Sequence, residues 1–166
     1  GIYGVGAIAK LKIWHIDLYY LRLDRTAAQY EAGVMEETRH SAGIRYWGNK
    51  NPLQYNFELV YQWGSFGSGN IEAWTISSDT KHKLASSPLS PVLGLKAETI
   101  SGDRNADDNK LQTFNPLFPR GAYFGLAALI GPANLLDVHP SIEFTLGERL
   151  TLAADWDFFW RHSVHD

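Results

Sequence analysis

The chain has 166 residues, 45% of them hydrophobic and 13% aromatic, with a formal charge of -3 and no cysteine. That balance excludes disulfides and thiolate metal centres, argues against a nucleic-acid partner, which would want a basic face, and, with no apolar run of about 18 residues, leaves no helical membrane span. A transmembrane β-strand passes such tests unseen, because every second residue is polar.

The first residues, GIYGVGAIAK, carry no basic region or cleavage site of a secretory signal. Export would therefore use a segment that precedes them, and IYGVGA is a candidate extra strand. The first full strand is expected from about Ile13 to Leu23, followed by a polar loop from Asp24 to Thr38. The second is RHSAGIRYW, Arg39 to Trp47, closed by a turn at Gly48-Asn49-Lys50-Asn51-Pro52.

The clearest signal is QYNFELVYQW, Gln54 to Trp63, where Tyr55, Phe57, Leu59, Tyr61 and Trp63 alternate with mostly polar neighbours. A period of two marks a strand, and the length is what a tilted strand needs to cross a bilayer, roughly 9 to 11 residues. GSFGSGN, residues 64–70, reads as a loop, Ile71 to Ser77 as a fourth strand, residues 78–91 as a link, and Val92 to Ser101 as a fifth strand.

Residues 102–136 form a connection far longer than the usual 4 to 6 or so, expected to be functional or partly folded, with a short helix in GLAALIGPANLL. Ser141 to Leu146 is a sixth strand, turned through Gly147-Glu148 into a seventh. There Leu150, Leu152, Ala154, Trp156, Phe158 and Trp160 alternate with Thr151, Ala153, Asp155, Asp157, Phe159 and Arg161. The longer connections follow odd strands and the shorter ones even strands, as when one barrel end carries short periplasmic turns; residues 78–91 are the exception. The ending RHSVHD lacks a terminal aromatic, so the chain reads as an internal fragment of a longer protein.

On the polar face of these strands fall His15, Asp17, Arg39, Arg45, Asn56, Glu58, Gln62, Lys96, Glu98, Glu143, Asp155, Asp157 and Arg161. Arginines on such a wall can grip carboxylates through a two-pronged fork, and a cationic track would suit an anionic solute. Equally, these charges can pair with one another and merely keep the wall wet. Asp103, Asn105, Asp107 and Asn109 alternate like calcium-loop ligands, but Asp108 and Phe114 stand where that loop needs Gly and Glu, and a solvated acidic loop is the better reading. Asp155 and Asp157 could serve as a glycosidase carboxylate pair, yet no HExxH, GxSxG or phosphate loop accompanies them. No catalytic constellation, metal site or cofactor is expected. Trp63, Trp74, Trp156 and Trp160 could stack on sugars, but three of them sit on the apolar face, which favours a membrane interface.

Longer strings are more specific. RHSAGIRYWG, YNFELVYQWGSFGSGNIEAWTISSDT, GLKAETISGDRN, FNPLFPRGAYFG, LIGPANLLDVHPSIEF and LTLAADWDFFWRHSVHD together resemble the alginate export family of Gram-negative outer-membrane porins, from about Leu18 to the last residue. The resemblance implies an all-β, antiparallel transmembrane barrel in the outer membrane, monomeric and eighteen-stranded in the family. Only seven or eight of those strands fall here, as an open sheet. It implies an electropositive lumen passing an anionic polysaccharide or related acidic solute by diffusion, with the lipid bilayer and periplasmic export components as partners. By facing direction, Arg39, Arg45, Lys96 and Arg161 would be the solute contacts, organised by Glu58, Asp155 and Asp157, with Asp17 a further lumen residue beside them. Two rivals stand beside it. A soluble carbohydrate-binding β-sandwich would bury Tyr61, Trp74 and Trp156 or gather them on a platform, and a polysaccharide lyase or hydrolase would gather Asp155, Asp157 and a His or Tyr in a cleft.

Overall fold

The computed structural model describes residues 1–10, 13–105, 107–118, 131–147 and 149–166, and over these the chain is all-β. The strands are β1 (Ile2–Lys10), β2 (Trp14–Tyr30), β3 (Gly33–Lys50), β4 (Leu53–Phe66), β5 (Gly69–Lys83), β6 (Val92–Ile100), β7 (Lys110–Leu111), β8 (Leu135–Leu146), β9 (Leu150–Asp155) and β10 (Phe158–Arg161). They form one sheet in the order β1-β2-β3-β4-β5-β6-β8-β10, antiparallel except for β7, which lies parallel to β5. The sheet is not closed, and among the described residues β1 and the β9–β10 strand are its edges.

β9 and β10 are halves of one strand. Ser141 faces Asp155 and Val138 faces Phe158, so the register on β8 runs through the gap unbroken. The gap has a local cause. Trp156 N–H donates to the Pro140 carbonyl at 3.1 Å, so the backbone groups of residue 140 point at this partner, and proline has no N–H to return the bond. Towards β6 the ladder is intact, with Leu95 opposite Pro140. Counting this pair of halves as one strand, the expected seven strands plus IYGVGA account for the sheet except for the two-residue β7, which falls in the stretch read as a connection.

The boundaries differ from the sequence expectation in a consistent way. The polar stretch 24–38 is not a loop: β2 and β3 extend through it, pairing Asp24 with Thr38 and Arg25 with Glu37, with a bulge between Arg25 and Ala28. GSFGSGN likewise pairs across β4 and β5, with Ser65 opposite Asn70, and residues 78–83 continue β5. Polar residues in these stretches keep their ladders because both neighbours extend equally far, so connections shrink while strands lengthen. The helix expected in GLAALIGPANLL lies mainly outside the described residues, and its described part, 131–136, is not helical. Gly147 takes a positive φ of 74° at the hairpin into β9.

Register sorts the side chains. Leu18, Ile44, Leu59 and Ile76 stand in one transverse row, and all four are exposed although apolar. Above this aliphatic row lie Tyr20, Tyr61, Trp63 and Trp74, and below it Trp14, Tyr46, Tyr55 and Phe57. Two aromatic girdles around an aliphatic band match the lipid-facing surface of an outer-membrane barrel. Trp63 and Leu53 mark its extent on β4: roughly 34 Å of strand, or about 24 Å along the membrane normal at a tilt near 45°, against a band of about 25 Å. Tyr61 and Trp156 are 45% and 56% exposed, and among the described residues no second sheet covers them. A sandwich would have buried that face.

The opposite face is held by a joint across three strands. Gly43 leaves room for the Tyr19 ring, which would lie only 2.1 Å from a Cβ built there. The ring crosses β3, and its hydroxyl donates to Glu58 on β4 at 2.7 Å. An aromatic covering a strand glycine in this way pins register. Gly43→Val is expected to dislodge the ring and destabilise the sheet by about 1–3 kcal/mol through overpacking; Tyr19→Phe, which loses only a hydrogen bond to a carboxylate, should cost no more than about 3 kcal/mol and leave packing intact. Urea midpoints of the folded protein in micelles check both.

Candidate functional site

The polar face is organised in rows that run across the strands. One row is continuous through the pairs Asp17–Arg45, Arg45–Glu58, Glu58–Ser77, Ser77–Glu98 and Glu98–Asp137, and ends at Phe159. The next row towards the Asn51-Pro52 turn carries His15, Trp47, Asn56, Asp79, Lys96 and His139. A row on the other side runs from Tyr19 through Gly43, Val60, Thr75, Ile100 and Leu135 to Arg161. All the residues assigned to the polar wall from sequence therefore share this face.

Their environments differ. Arg45 is half-buried: its Nε donates to Asn56 at 2.6 Å, one NH lies 3.7 Å from Asp17, and the guanidinium sits over the Trp47 ring at 5.3 Å. Glu58, directly opposite Arg45, is engaged by Tyr19 instead. Lys96, Arg161 and Asp155 are exposed, and Asp157 is partly buried. Asp155 and Asp157 both turn towards His139, at 3.8 and 2.5 Å. Strand neighbours lie about 4.8 Å apart, well inside a Debye length of about 8 Å at physiological salt. Carboxylates one strand away therefore offset each cation, and in the Asp17 to Asp137 row a single arginine stands among four of them.

Arg39 is a separate case. Its side chain faces inward as expected but is 0% exposed. Its Nε donates to Glu37 at 2.6 Å, and its NH groups donate to Gln62 at 2.6 Å, the Tyr30 hydroxyl at 3.0 Å and the Thr113 carbonyl at 3.1 Å. Tyr30 in turn donates to Glu37, which also accepts from Arg25. Gln62 completes the clasp, giving its amide to the Asn115 carbonyl and accepting the Asn115 N–H at 2.8 and 2.9 Å.

The long connection thus folds back onto the inner wall. Leu111 and Phe114 pack on Val60, Phe66, Ile71, Ala73, Ile100 and Leu135 in one buried cluster. Beside them, a recess of about 360 Å³ is bounded by Tyr19, Glu58, Thr75 and Glu98 on the wall and by residues 114–118 of the returning segment. Glu37 and Tyr30 were invisible from the sequence because they belong to a stretch read as loop. His139 and Asp137 were missed too, although DVH has the same-face spacing of DWD.

Outside the spanning strands, the alternating Asp103, Asn105 and Asp107 form a chain of local turns. Asp103 accepts the Asn105 N–H, Asn105 the Asp107 N–H, and Asp108 the Lys110 N–H, so these oxygens cap backbone. Burial raises the Asp103 carboxyl above its ordinary value and lowers the His162 imidazole; both shifts favour the neutral forms.

A family model described as alginate export matches residues 5–166. The chain belongs to the alginate export family. Comparison with curated proteins and with solved structures returned no match. For an alginate export protein the two faces have a plain meaning: the exposed apolar face with its girdles is the membrane surface of an outer-membrane β-barrel porin, and the polar rows are its inner wall.

Proposed function

We propose that this chain forms part of the wall of a Gram-negative outer-membrane channel that exports an alginate-like acidic polysaccharide by passive diffusion. The observation that carries this reading is the division of one sheet into a face with an exposed aliphatic band between aromatic girdles and a face that carries the charged rows, in a chain of the alginate export family. Arg45, Lys96 and Arg161 are the contacts for the solute's carboxylates. Asp17, Glu58, Asp155 and Asp157 keep those contacts local, so that each holds a sugar acid briefly and none traps the chain; conduction needs binding weak enough to leave. Arg39 takes another part, clasping the segment that narrows the lumen. This division of labour replaces a uniform electropositive field with cationic footholds on a mixed wall.

Single-channel reversal potentials of the intact protein in planar bilayers test it. Changing Arg45, Lys96 and Arg161 together to alanine should shift permeability towards cations and weaken block by oligouronate added to one side. Unchanged anion preference and unchanged block would overturn the assignment.

A further inference from the structure

We propose that Asp137, His139 and Asp157 form a binding site for a divalent first-row transition cation, of the Zn²⁺ or Mn²⁺ class, which clips the last strand to β8 where Pro140 interrupts the ladder. Asp137 and His139 are two residues apart on β8 and so share a face. Asp157 lies in the gap between β9 and β10, and the unbroken register sets it opposite His139. One ligand atom from each of the three falls within 4.8 Å of the other two, the one such grouping among the described residues. An ion bonded at about 2.0–2.2 Å to each, as Zn²⁺ is to His and carboxylate, spans ligand atoms no more than about 4.4 Å apart, so filling the site draws the three together by a few tenths of an ångström.

A second observation points to a ligand. Asp137 is only 3% exposed, yet its Oδ1 has no hydrogen-bond partner, and a buried carboxylate oxygen left so is costly. His139 Nδ1 and Asp157 Oδ1 approach to 2.5 Å, but neither is in hydrogen-bonding geometry. Three donors converging without satisfying one another are what a cation would resolve. The donor set selects the class: imidazole suits Zn²⁺ and its neighbours, carboxylate suits Mn²⁺ and harder ions, whereas Ca²⁺ takes six to eight or so oxygen ligands. Lys96, opposite His139, is exposed, and its ammonium acts on the Asp137 carboxylate, an attraction that a bound cation would replace. At the place where the strand pair has lost a backbone hydrogen bond, metal ligands from both sides would restore the cross-link.

The test uses the intact, chelator-stripped protein in detergent micelles. Calorimetric titration with Zn²⁺, and loss of the free Mn²⁺ electron paramagnetic resonance signal, should show one saturable site, with a raised thermal midpoint when it is filled. Asp137→Asn and His139→Gln should each weaken binding by at least the 10- to 100-fold or so that losing even a supporting outer group costs. Asp155→Asn, which removes no ligand, should keep the stoichiometry. Absence of saturable binding, or binding retained in the doubly substituted protein, overturns the site. Should a variant fail to fold, X-ray absorption on the Zn²⁺-loaded parent decides: one imidazole with oxygen donors supports the proposal, and an all-oxygen shell or several imidazoles sinks it.

Discussion

Arg39→Ala in the intact protein is expected to lower unfolding stability by about 3–5 kcal/mol, the cost of removing one partner of a buried ion pair. Glu37 is the partner, 0% exposed like Arg39 itself. Arg25 remains on its other oxygen but is partly exposed and cannot replace the lost donors to Gln62, Tyr30 and Thr113. The same change should release residues 111–115 from the wall, because two of the clasp's hydrogen bonds to that segment run through Gln62, which Arg39 holds in place. Larger and noisier single-channel conductance is the accompanying expectation. A double variant, Arg39→Met with Glu37→Gln, removes both charges and should recover much of the stability while the conductance stays high. If Arg39→Ala instead shifts ion preference with stability and conductance unchanged, the residue is a solute contact and the clasp reading fails.

Leu59→Arg is the second large effect. Leu59 is at the centre of the aliphatic row between the two girdles, and arginine at the bilayer midplane of a barrel costs about 2–4 kcal/mol. Glu58→Gln, one residue away on the wet face, should cost less and leave folding into detergent intact, since only the bond from Tyr19 is weakened. Equilibrium unfolding in lipid vesicles separates the two. Equal tolerance of arginine at 59 and of glutamine at 58 would contradict the assignment of faces.

The alternation of side chains was legible in the sequence because a strand imposes a period of two whatever surrounds it, and so Arg45, Glu58, Lys96 and Arg161 fall together on the polar face. Strand length was not legible above the membrane. Asp24 to Thr38 is polar enough to read as loop, and only pairing between β2 and β3 makes it a ladder. Burial of Arg39 depends on Thr113, remote in the chain, and no local pattern announces that contact. Pro140 concealed the start of β8, since proline ordinarily demotes a strand. Its single missing N–H faces the β9–β10 gap alone, so pairing with β6 runs on to Leu135, and that extension is what brings Asp137 and His139 beside Asp157.

Apart from the returning segment, every membrane-spanning strand pairs only with its nearest spanning neighbours along the chain. Except for β8, which follows the long connection, each new strand therefore closes a short loop at small entropic cost, and each addition presents the next one with a complete edge. A wall made in this way can be lengthened or shortened by a hairpin at a time without disturbing the pairs already made. The inward fold of residues 110–115 is the exception that ties distant strands together, so the width of the channel and the number of its staves are set by different parts of the sequence.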